Sequence, residues 1–467
     1  MSGRARSPWV AFSAVAVGTF MGTVDSSIVN VALPTMRTDL GTTIGGVEWV
    51  VTAYLLTVSA ALLSAGRLGD LSGHRRIFVG GLLLFTLGSA LCGFAPGLAW
   101  LVAARMVQAL GASAMTAIGP AVVTAAFPPE RRGRALGAIT SVVAVGLTLG
   151  PPLGGFLVQH LSWRWIFWVN LPVGVLGALW ASRSIPEFAG ARGAELDRAG
   201  SLLLAACIAA GLAAVREAPS SAGGALLLAL AAGGAGALLL RRSRRVASPV
   251  LDFSLFQRRN FSVGILAGFL SYAALFTATL MNPFYLAQVR GLEPRGVGAM
   301  MVIVPLAMSL SSTPAGWLAD RFPSRALGPS GMALVGLGLL GLAGLGEGGS
   351  LVAFGVRQAA LGLGMGLFQP PNNSAIMGAL PRERLGSGGG MLATARTTGM
   401  AMGIALAGAL FDARSGGAAG SQAFLAGYRL ALLAGASLAL GAGLVSVLVS
   451  PVGRRAPGAR PGGVTPA

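Results

Sequence analysis

Apolar runs of about 20 residues recur along nearly the whole chain, and they limit its fold more than any other feature. An α-helix rises about 1.5 Å per residue, so a run of this length spans the roughly 30 Å hydrocarbon core of a bilayer. Only 10% of the residues are charged and 54% are hydrophobic, whereas soluble proteins carry about 25% charged residues. The sequence therefore predicts an all-α polytopic membrane protein.

We place fourteen membrane spans on the chain. The runs at 199–215 and 222–240 have only 17 and 19 residues, near the lower limit for crossing a bilayer. If both lay on the membrane surface, twelve spans would remain and the sidedness of every other loop would be unchanged. Neither run has the amphipathic stripe of an interfacial helix, which favours fourteen. The spans are 9–36, 47–66, 77–96, 98–124, 135–158, 164–182, 199–215, 222–240, 261–288, 296–319, 327–346, 350–375, 386–411 and 424–449.

Basic residues occur in short clusters between the apolar runs, although the net charge of +19 could suggest a nucleic-acid partner. Twenty-four arginines fall on one set of alternate connections and seven on the other. This is the positive-inside pattern, and it places both termini in the cytoplasm. No basic stretch is interleaved with aromatic residues or attached to a soluble domain, so we expect no nucleic-acid binding.

The sequence offers little support for an enzyme, a metal site or a cofactor. Cys92 and Cys207 both lie inside apolar runs, which argues against a disulfide framework or a metal site. No region gathers histidines, cysteines and carboxylates, and we expect neither an enzyme nor a cofactor. The first apolar run is too long for a signal peptide, so it should remain as the first span. We expect a monomer.

A short charged loop between two apolar runs occurs twice, as G-R-L-G-D-L-S-G-H-R-R at 66–76 and as G-W-L-A-D-R-F-P-S-R at 316–325. The copies lie 250 residues apart, whereas six helices with short loops need only about 180 to 200. The excess fits two helices inserted between duplicated halves. We predict an N-terminal six-helix bundle at 1–190, a two-helix insert with a basic linker at 191–260, a C-terminal six-helix bundle at 261–450 and a disordered cytoplasmic tail at 451–467.

The residues of the two loop copies are expected to control conformation. A carboxylate beside a helix N-terminus and an arginine beside a C-terminus can stabilise one arrangement of the helices. The alternative, ordinary positive-inside loops, explains the arginines but not the repeated Gly-x-Leu-x-Asp. The residues are Gly66, Asp70, Gly73 and Arg75 in the first copy, and Gly316, Asp320, Arg321 and Arg325 in the second.

Further stretches occur in order and in the expected spans, at 24–34, 101–111, 146–155 and 364–371 with Arg396. With the duplicated loops, they make the chain resemble the major facilitator superfamily, in particular its fourteen-helix branch of drug/proton antiporters. Leu71 stands where the family's loop usually has an arginine, His74 replaces a basic residue, and Pro323 replaces the second glycine of the second copy. The resemblance implies two six-helix bundles with two inserted helices, in a bacterial cytoplasmic membrane.

Asp25 lies about 16 residues into the first span, in a stretch with no other charge. A carboxylate at this depth costs several kcal/mol unless it is neutralised, paired or facing water. It is therefore either a protonated residue in a helix–helix hydrogen bond or a proton carrier that ionises when its site opens to one side. The resemblance implies the proton carrier.

Arg105, in the fourth span, is the expected partner of Asp25. At about 1.5 Å per residue, both fall at a similar depth in the outer half of the bilayer. A guanidinium cannot be neutralised by deprotonation, so it needs an acceptor. The pair is either a static structural contact or a link between proton uptake and the separation of helices one and four.

A glycine- and proline-rich segment in the fifth span is expected to be mechanical. Small residues four apart let another backbone approach closely, and prolines remove backbone donors and bend the helix. The resemblance assigns the segment to antiporters, where it would keep the outward leak path shut, and ordinary tight packing is the alternative. Its residues are Gly146, Gly150, Pro151, Pro152, Gly154 and Gly155.

Polar or amphipathic residues within or at the ends of the apolar spans are candidates for a substrate cavity. Each could equally form a hydrogen bond between helices. Arg396 has no carboxylate of its own in the membrane region of the second half, and it either faces the cavity or bonds to carbonyl oxygens at Gly399 or Gly403. Methionines and phenylalanines nearby would suit hydrophobic substrates. The candidates are Asn30, Tyr54, Gln108, Tyr272, Asn282, Tyr285, Gln369, Asn372, Asn373 and Arg396.

We therefore predict a proton-coupled exporter of small hydrophobic or cationic organic compounds that works by alternating access. Its partners are the lipid bilayer, a small-molecule substrate and protons. One alternative is a dedicated exporter of one endogenous metabolite, such as an antibiotic. Another, a channel or membrane receptor, fits the composition but not the duplicated loops with their helix-breaking prolines and glycines.

Overall fold

The structure is a computed structural model, and it describes residues 7–187, 196–246, 248–321, 326–381, 384–415 and 420–449, without the side chains at 129 and 319–321. These residues form seventeen α-helices, a 3-10 turn at Phe253–Gln257, a π-helical turn at Tyr285–Val289, and no strand. The helices are α1 (Pro8–Asp39), α2 (Ile44–Val47), α3 (Trp49–Ser72), α4 (His74–Gly93), α5 (Leu98–Ala126), α6 (Pro129–His160), α7 (Trp165–Trp168), α8 (Asn170–Ser184), α9 (Arg198–Glu217), α10 (Ala222–Ser243), α11 (Arg259–Phe284), α12 (Pro294–Met301), α13 (Ile303–Arg321), α14 (Leu327–Ala343), α15 (Leu351–Gly378), α16 (Leu385–Ser415) and α17 (Ser421–Val447).

Each predicted span coincides with one helix or with two consecutive helices, as in α2 and α3, α7 and α8, and α12 and α13. Twelve of these segments are long and apolar enough to cross a membrane, and α9 and α10 are among them. The other two are α14, which has only 17 residues, and α16. The prediction of an all-α membrane protein is confirmed. The boundaries of the halves stay a prediction, and the tail at 451–467 lies outside the described residues.

The helices before the insert and those after it pack in the same way. In the first set, α1 contacts α5, α6 and α8, while α5 contacts α3 and α4, and α4 contacts α8. In the second set, α11 contacts α15, α16 and α17, while α15 contacts α13 and α14, and α14 contacts α17. The repeated pairing agrees with the duplication that the two loop copies indicate.

The two inserted helices differ in how much of the protein they touch. Helix α9 packs on α3 of the first half and on α16 of the second, whereas α10 packs mainly on α9. Leu226, Leu227 and Leu230 of α10 are 61%, 70% and 62% exposed. Large apolar side chains exposed on a membrane helix face lipid, so α10 forms an outer surface of the bundle.

Glycines let α4 and α5 approach at backbone distance. A Cβ atom at Gly88 of α4 would lie 2.5 Å from the backbone nitrogen and Cα of Gln108 on α5. Gly80, on the same helix, has no atom within 4 Å of the equivalent position. Small residues at a helix crossing are the usual means of close packing in membranes.

This crossing predicts different effects for the same substitution at two positions of α4. Gly88→Ala should lower the free energy of unfolding by about 1–3 kcal/mol, because the backbone of α5 must move to accept a methyl group. Gly80→Ala, the matched control, should leave stability unchanged or raise it slightly. Thermal unfolding of the purified protein in detergent, followed by tryptophan fluorescence, measures both. Equal midpoints for the two variants would contradict the described crossing.

Candidate functional site

Asp25, in the middle of α1, is fully buried, and both oxygens of its carboxylate accept hydrogen bonds. Oδ2 accepts one from Nη1 of Arg105 at 2.7 Å. Oδ1 accepts one from Nε2 of Gln108 at 2.8 Å and one from Nδ2 of Asn170 at 2.9 Å. Side chains of α5 and α8 therefore hold the carboxylate of α1.

The guanidinium of Arg105 is as completely enclosed as the carboxylate, with 1% of the residue exposed. Nε donates to the carbonyl oxygen of Val50 at 3.1 Å, and Nη1 also donates to Oε1 of Gln108 at 2.6 Å. Its Cζ lies 4.0 Å from the centroid of the Tyr54 ring, a distance at which the cation is attracted to the aromatic face. A buried ion pair is retained only where geometry is good and the remaining groups are bonded, and this pair meets both conditions.

The predicted contact between Asp25 and Arg105 is present, while its role in proton coupling stays a prediction. Sequence reasoning missed Asn170 and Ser89, whose hydroxyl accepts a hydrogen bond from Nε2 of Gln108 at 2.7 Å. A lone carboxamide or hydroxyl in an apolar run does not reveal which neighbouring helix it faces. That depends on how each helix is rotated about its axis.

The second half contains a buried polar network of uncharged side chains. The Tyr428 hydroxyl donates to Oδ1 of Asn282 at 2.9 Å, and Nδ2 of Asn282 donates to Oε1 of Gln358 at 3.3 Å. Tyr285 stacks on Tyr428 and donates to the carbonyl oxygen of Gly346 at 2.9 Å. Asn282 and Tyr285, both predicted for the substrate cavity, are buried in this network. Within the described ranges no carboxylate joins it.

A cavity of about 220 Å³ lies among α11, α15 and α16. Arg396 is exposed there, and its Cζ lies 5.7 Å from the centroid of the Tyr272 ring. Five of the predicted cavity residues line it, together with apolar and aromatic side chains. Those five are Tyr272, Gln369, Asn372, Asn373 and Arg396.

Three other predicted cavity residues lie in the first half, away from this cavity. Tyr54 packs on the Arg105 guanidinium, and Gln108 bonds Asp25. Asn30 is 7% exposed and donates to the carbonyl oxygen of Ser26 at 3.1 Å, while its Oδ1 has no hydrogen-bond partner in the part of the chain that the structure describes. Contact of these three residues with a substrate stays a prediction.

The glycine- and proline-rich segment of α6 packs between the two halves. A Cβ at Gly154 would lie 2.7 Å from Cγ1 of Ile28 on α1. On the other side, Gly298 of α12 lies against the carbonyl oxygen of Pro151. Nε2 of Gln159, at the end of α6, donates to Oε2 of Glu293 at 2.6 Å. The predicted close approach of backbones is present, and its role in closing a leak path stays a prediction.

Arg216, near the end of α9, forms ion pairs with both halves. It donates to Glu48, which is fully buried between α2 and α3, and to Oδ2 of Asp412 on α16 at 3.3 Å. The second carboxylate oxygen of Glu48 has no hydrogen-bond partner among the described residues. The sequence analysis did not bring these three residues together, because Glu48 and Asp412 lie 168 and 196 positions from Arg216.

The first loop copy makes contacts at the ends of its helices. Gly73 has φ 94° and separates α3 from α4, a conformation that glycine adopts without strain. Asp70 lies 3.3 Å from Nε2 of His74, and Arg75 pairs with Glu187 after α8. In the second copy, Gly316 lies on α13, whereas the side chains of Asp320 and Arg321 and the whole of Arg325 lie outside the described residues. Conformational control by either loop stays a prediction.

Comparison with known proteins identifies the family to which the chain belongs. The model of the Major Facilitator Superfamily matches residues 15–240 and 264–466. The chain belongs to this superfamily of membrane transporters. It is 34% identical over 404 residues to the riboflavin transporter RibZ of Clostridioides difficile, covering 86% of this chain and 88% of that protein.

Two other relatives are named for drug resistance and export. The multidrug resistance protein Stp of Mycobacterium tuberculosis is 34% identical, with 86% of this chain and 75% of that protein covered. The tetracenomycin C resistance and export protein of Streptomyces glaucescens is 31% identical, with 89% and 78% covered. The predicted resemblance to drug-efflux transporters is confirmed.

Solved structures share the fold. A bacterial homologue of the human lysosomal transporter Spinster, in an inward-facing and unoccupied conformation, has a TM-score of 0.69 over 96% of this chain and 98% of that one. At 15% identity, this likeness concerns the fold alone.

The buried ion pair predicts strong coupling between two substitutions. Arg105→Leu should lower the free energy of unfolding by about 3–5 kcal/mol, because it leaves the Asp25 carboxylate buried without its cation. Asp25→Leu with Arg105→Leu should recover most of that loss. Arg76→Leu removes an arginine whose side chain is 74% exposed in its pair with Glu187, so it should change stability little. Thermal unfolding in detergent measures all three variants, and a double variant as unstable as Arg105→Leu alone would contradict the pairing.

Proposed function

We propose that the protein exports small hydrophobic organic compounds in exchange for protons, by alternating access between its two halves. The observation that carries this proposal is the enclosed Asp25 carboxylate in the middle of a membrane span, bonded by three side chains of two other helices. A membrane-embedded carboxylate in such a setting is a natural proton carrier.

Protonation of Asp25 would change the forces that hold α1, α5 and α8 together. A neutral carboxyl group loses its ionic attraction to Arg105 and some of its capacity to accept hydrogen bonds. Arg105 would keep its bonds to Val50 and Gln108, so α5 would stay bonded to α3 while its hold on α1 weakens. A proton bound more tightly in one arrangement than in the other shifts the equilibrium between them.

Asp25 is favoured as the carrier by where the other carboxylates lie. Among the described residues, Glu48 and Asp412 are near helix ends and share Arg216, and the buried network of the second half consists of neutral side chains. The proton site and the cavity around Arg396 therefore lie in different halves. Coupling between them would pass through helix movement.

The contacts between the halves support export from the side that the arginine count assigns to the cytoplasm. Arg216 and the end of α6 join the halves at helix ends on the opposite side. A cavity closed on that side would load substrate from the cytoplasm. We also infer that both termini are cytoplasmic and that the transporter works as a monomer, with the loop copies and the α6 segment limiting its movements.

A dedicated exporter of one metabolite is the second candidate. Two relatives are named for single compounds, riboflavin and tetracenomycin C, whereas another is named for multidrug resistance. Proton flux measured in vesicles against a panel of compounds separates the candidates, since a dedicated exporter responds to one member or to close analogues.

The proton role of Asp25 predicts the outcome of a transport assay. In proteoliposomes with an imposed proton gradient, Asp25→Asn should abolish uphill export, because an amide cannot bind and release a proton in the working range. Exchange of labelled for unlabelled substrate without a gradient should continue, since it needs helix movement but no net proton transfer.

Glu130→Gln is the matched control, because it removes an exposed carboxylate at the start of α6. This variant should retain gradient-driven export. Full uphill export by Asp25→Asn, at the rate of the unmodified protein, would refute the proposed coupling.

A further inference from the structure

Arg396 is exposed at a depth in the membrane where a charged side chain is costly unless it is paired or hydrated. It lies 11 residues into α16, about 16 Å along the helix axis at about 1.5 Å per residue, and thus near the middle of the bilayer. Its contact with the face of Tyr272 is a weak one at 5.7 Å, and no ion pair to it occurs among the described residues. Arginine cannot lose its proton there, and no carbonyl oxygen of the described residues accepts a hydrogen bond from it, so its charge faces the cavity, where water or an anion can offset it.

The buried carboxylates of the described spans are already paired with arginines. Asp25 and Arg105 are paired with each other and are closed off from the cavity, at 0% and 1% exposure. Glu48 is buried and bonded by Arg216. In the described parts of the spans, no exposed carboxylate lies at the depth of Arg396. The cavity around Arg396 therefore carries an uncompensated positive charge.

The other residues that line the cavity indicate the shape and polarity of its ligand. None is acidic, and three carry aromatic rings, Phe269, Tyr272 and Phe368. Flat rings bind well against such side chains. Asn372 is 6% exposed, and its Oδ1 has no hydrogen-bond partner in the described structure, although its Nδ2 donates to the carbonyl oxygen of Gly264 at 3.1 Å. This hydrogen bond holds the Asn372 side chain against α11 at the wall of the cavity.

We propose that this cavity binds small planar organic carboxylates, with the carboxylate held by Arg396 and the ring against the aromatic side chains. Arginine suits this role because its planar guanidinium bonds both oxygens of a carboxylate. As a statement about a transported substrate, the proposal rests on the export function proposed above. As a statement about binding, it stands on the cavity alone.

The sequence predicts hydrophobic or cationic substrates without deciding between them. The charge of the cavity ranks the possible classes of substrate. An organic cation would approach Arg396 with no carboxylate to offset the repulsion between like charges. An uncharged compound would leave the guanidinium without a counter-charge. An organic acid removes both costs, so it should bind most tightly of the three classes.

The test uses three ligands of one shape, 2-naphthoate, 2-naphthamide and 2-naphthamidine, which carry a negative, no and a positive charge at neutral pH. Equilibrium dialysis against the purified full-length protein in detergent measures their affinities. We expect naphthoate to bind at least about tenfold more tightly than naphthamidine, with the neutral amide between them, since a hydrogen bond to a charged group is worth about a factor of ten or more.

Three variants locate the source of that preference. Arg396→Gln should weaken naphthoate at least about tenfold and bring the three affinities together. Arg396→Lys should keep the order of the three affinities with a smaller preference for naphthoate. Lysine keeps the charge but lacks the planar guanidinium that bonds both carboxylate oxygens. Arg414→Gln removes the same charge from an exposed position near the other end of α16, and it should bind all three like the unmodified protein.

Several outcomes would overturn the proposal. These are naphthamidine binding as tightly as naphthoate, no measurable preference because neither binds, or a preference that Arg396→Gln leaves unchanged. The binding assay involves no gradient and no transport, so its result is independent of the proton-coupling test on Asp25. If the protein binds carboxylates but moves no protons, the proposed binding site stands and the proposed proton exchange is refuted. If it exports compounds in exchange for protons without preferring carboxylates, the exchange stands and the binding site is refuted.

Discussion

The rest of the structure depends on one ion pair placed where water cannot reach it. Removing a carboxylate and a guanidinium from water costs several kcal/mol for each ion, and their attraction offsets this only with good geometry. Asp25 and Arg105 achieve that geometry because bonds from Gln108, Asn170 and the Val50 carbonyl fix both groups. The pair therefore holds α1, α3, α5 and α8 in one relation, and a proton on Asp25 would loosen α1 from the other three helices.

Much of this architecture could be predicted from the sequence. The spans follow from apolar length alone, and the meeting of Asp25 with Arg105 follows from counting their depth along two helices. The close packing at the glycine-rich face of α6 was also predictable, because small residues four apart let another backbone approach closely. Apolar length, depth along a helix and the spacing of small residues can each be read from one helix at a time in the sequence.

Other contacts depend on helix rotation and on pairings across the chain, which no local pattern contains. Asn170 reaches Asp25 only because α8 presents that face to α1, and Arg216 reaches Glu48 and Asp412 only because α9 packs on both α3 and α16. The predicted cavity was a single set of ten residues. The structure places five of them, Arg396 included, in one cavity and distributes the others among two buried networks and α1.

The two halves share the same helix pairing, but their polar interiors differ. The first half has a paired acid and base in its interior, the second a neutral network of tyrosine and amides and a separate cavity whose arginine has no ion pair among the described residues. On the proposals above, one half handles the proton and the other the substrate. The charge of Arg396 then has an electrical consequence. Moving a carboxylate out while a proton moves in transfers two positive charges inward, so the membrane potential would contribute about 4.6 kcal/mol per 100 mV to each such cycle, twice its contribution for a neutral cargo.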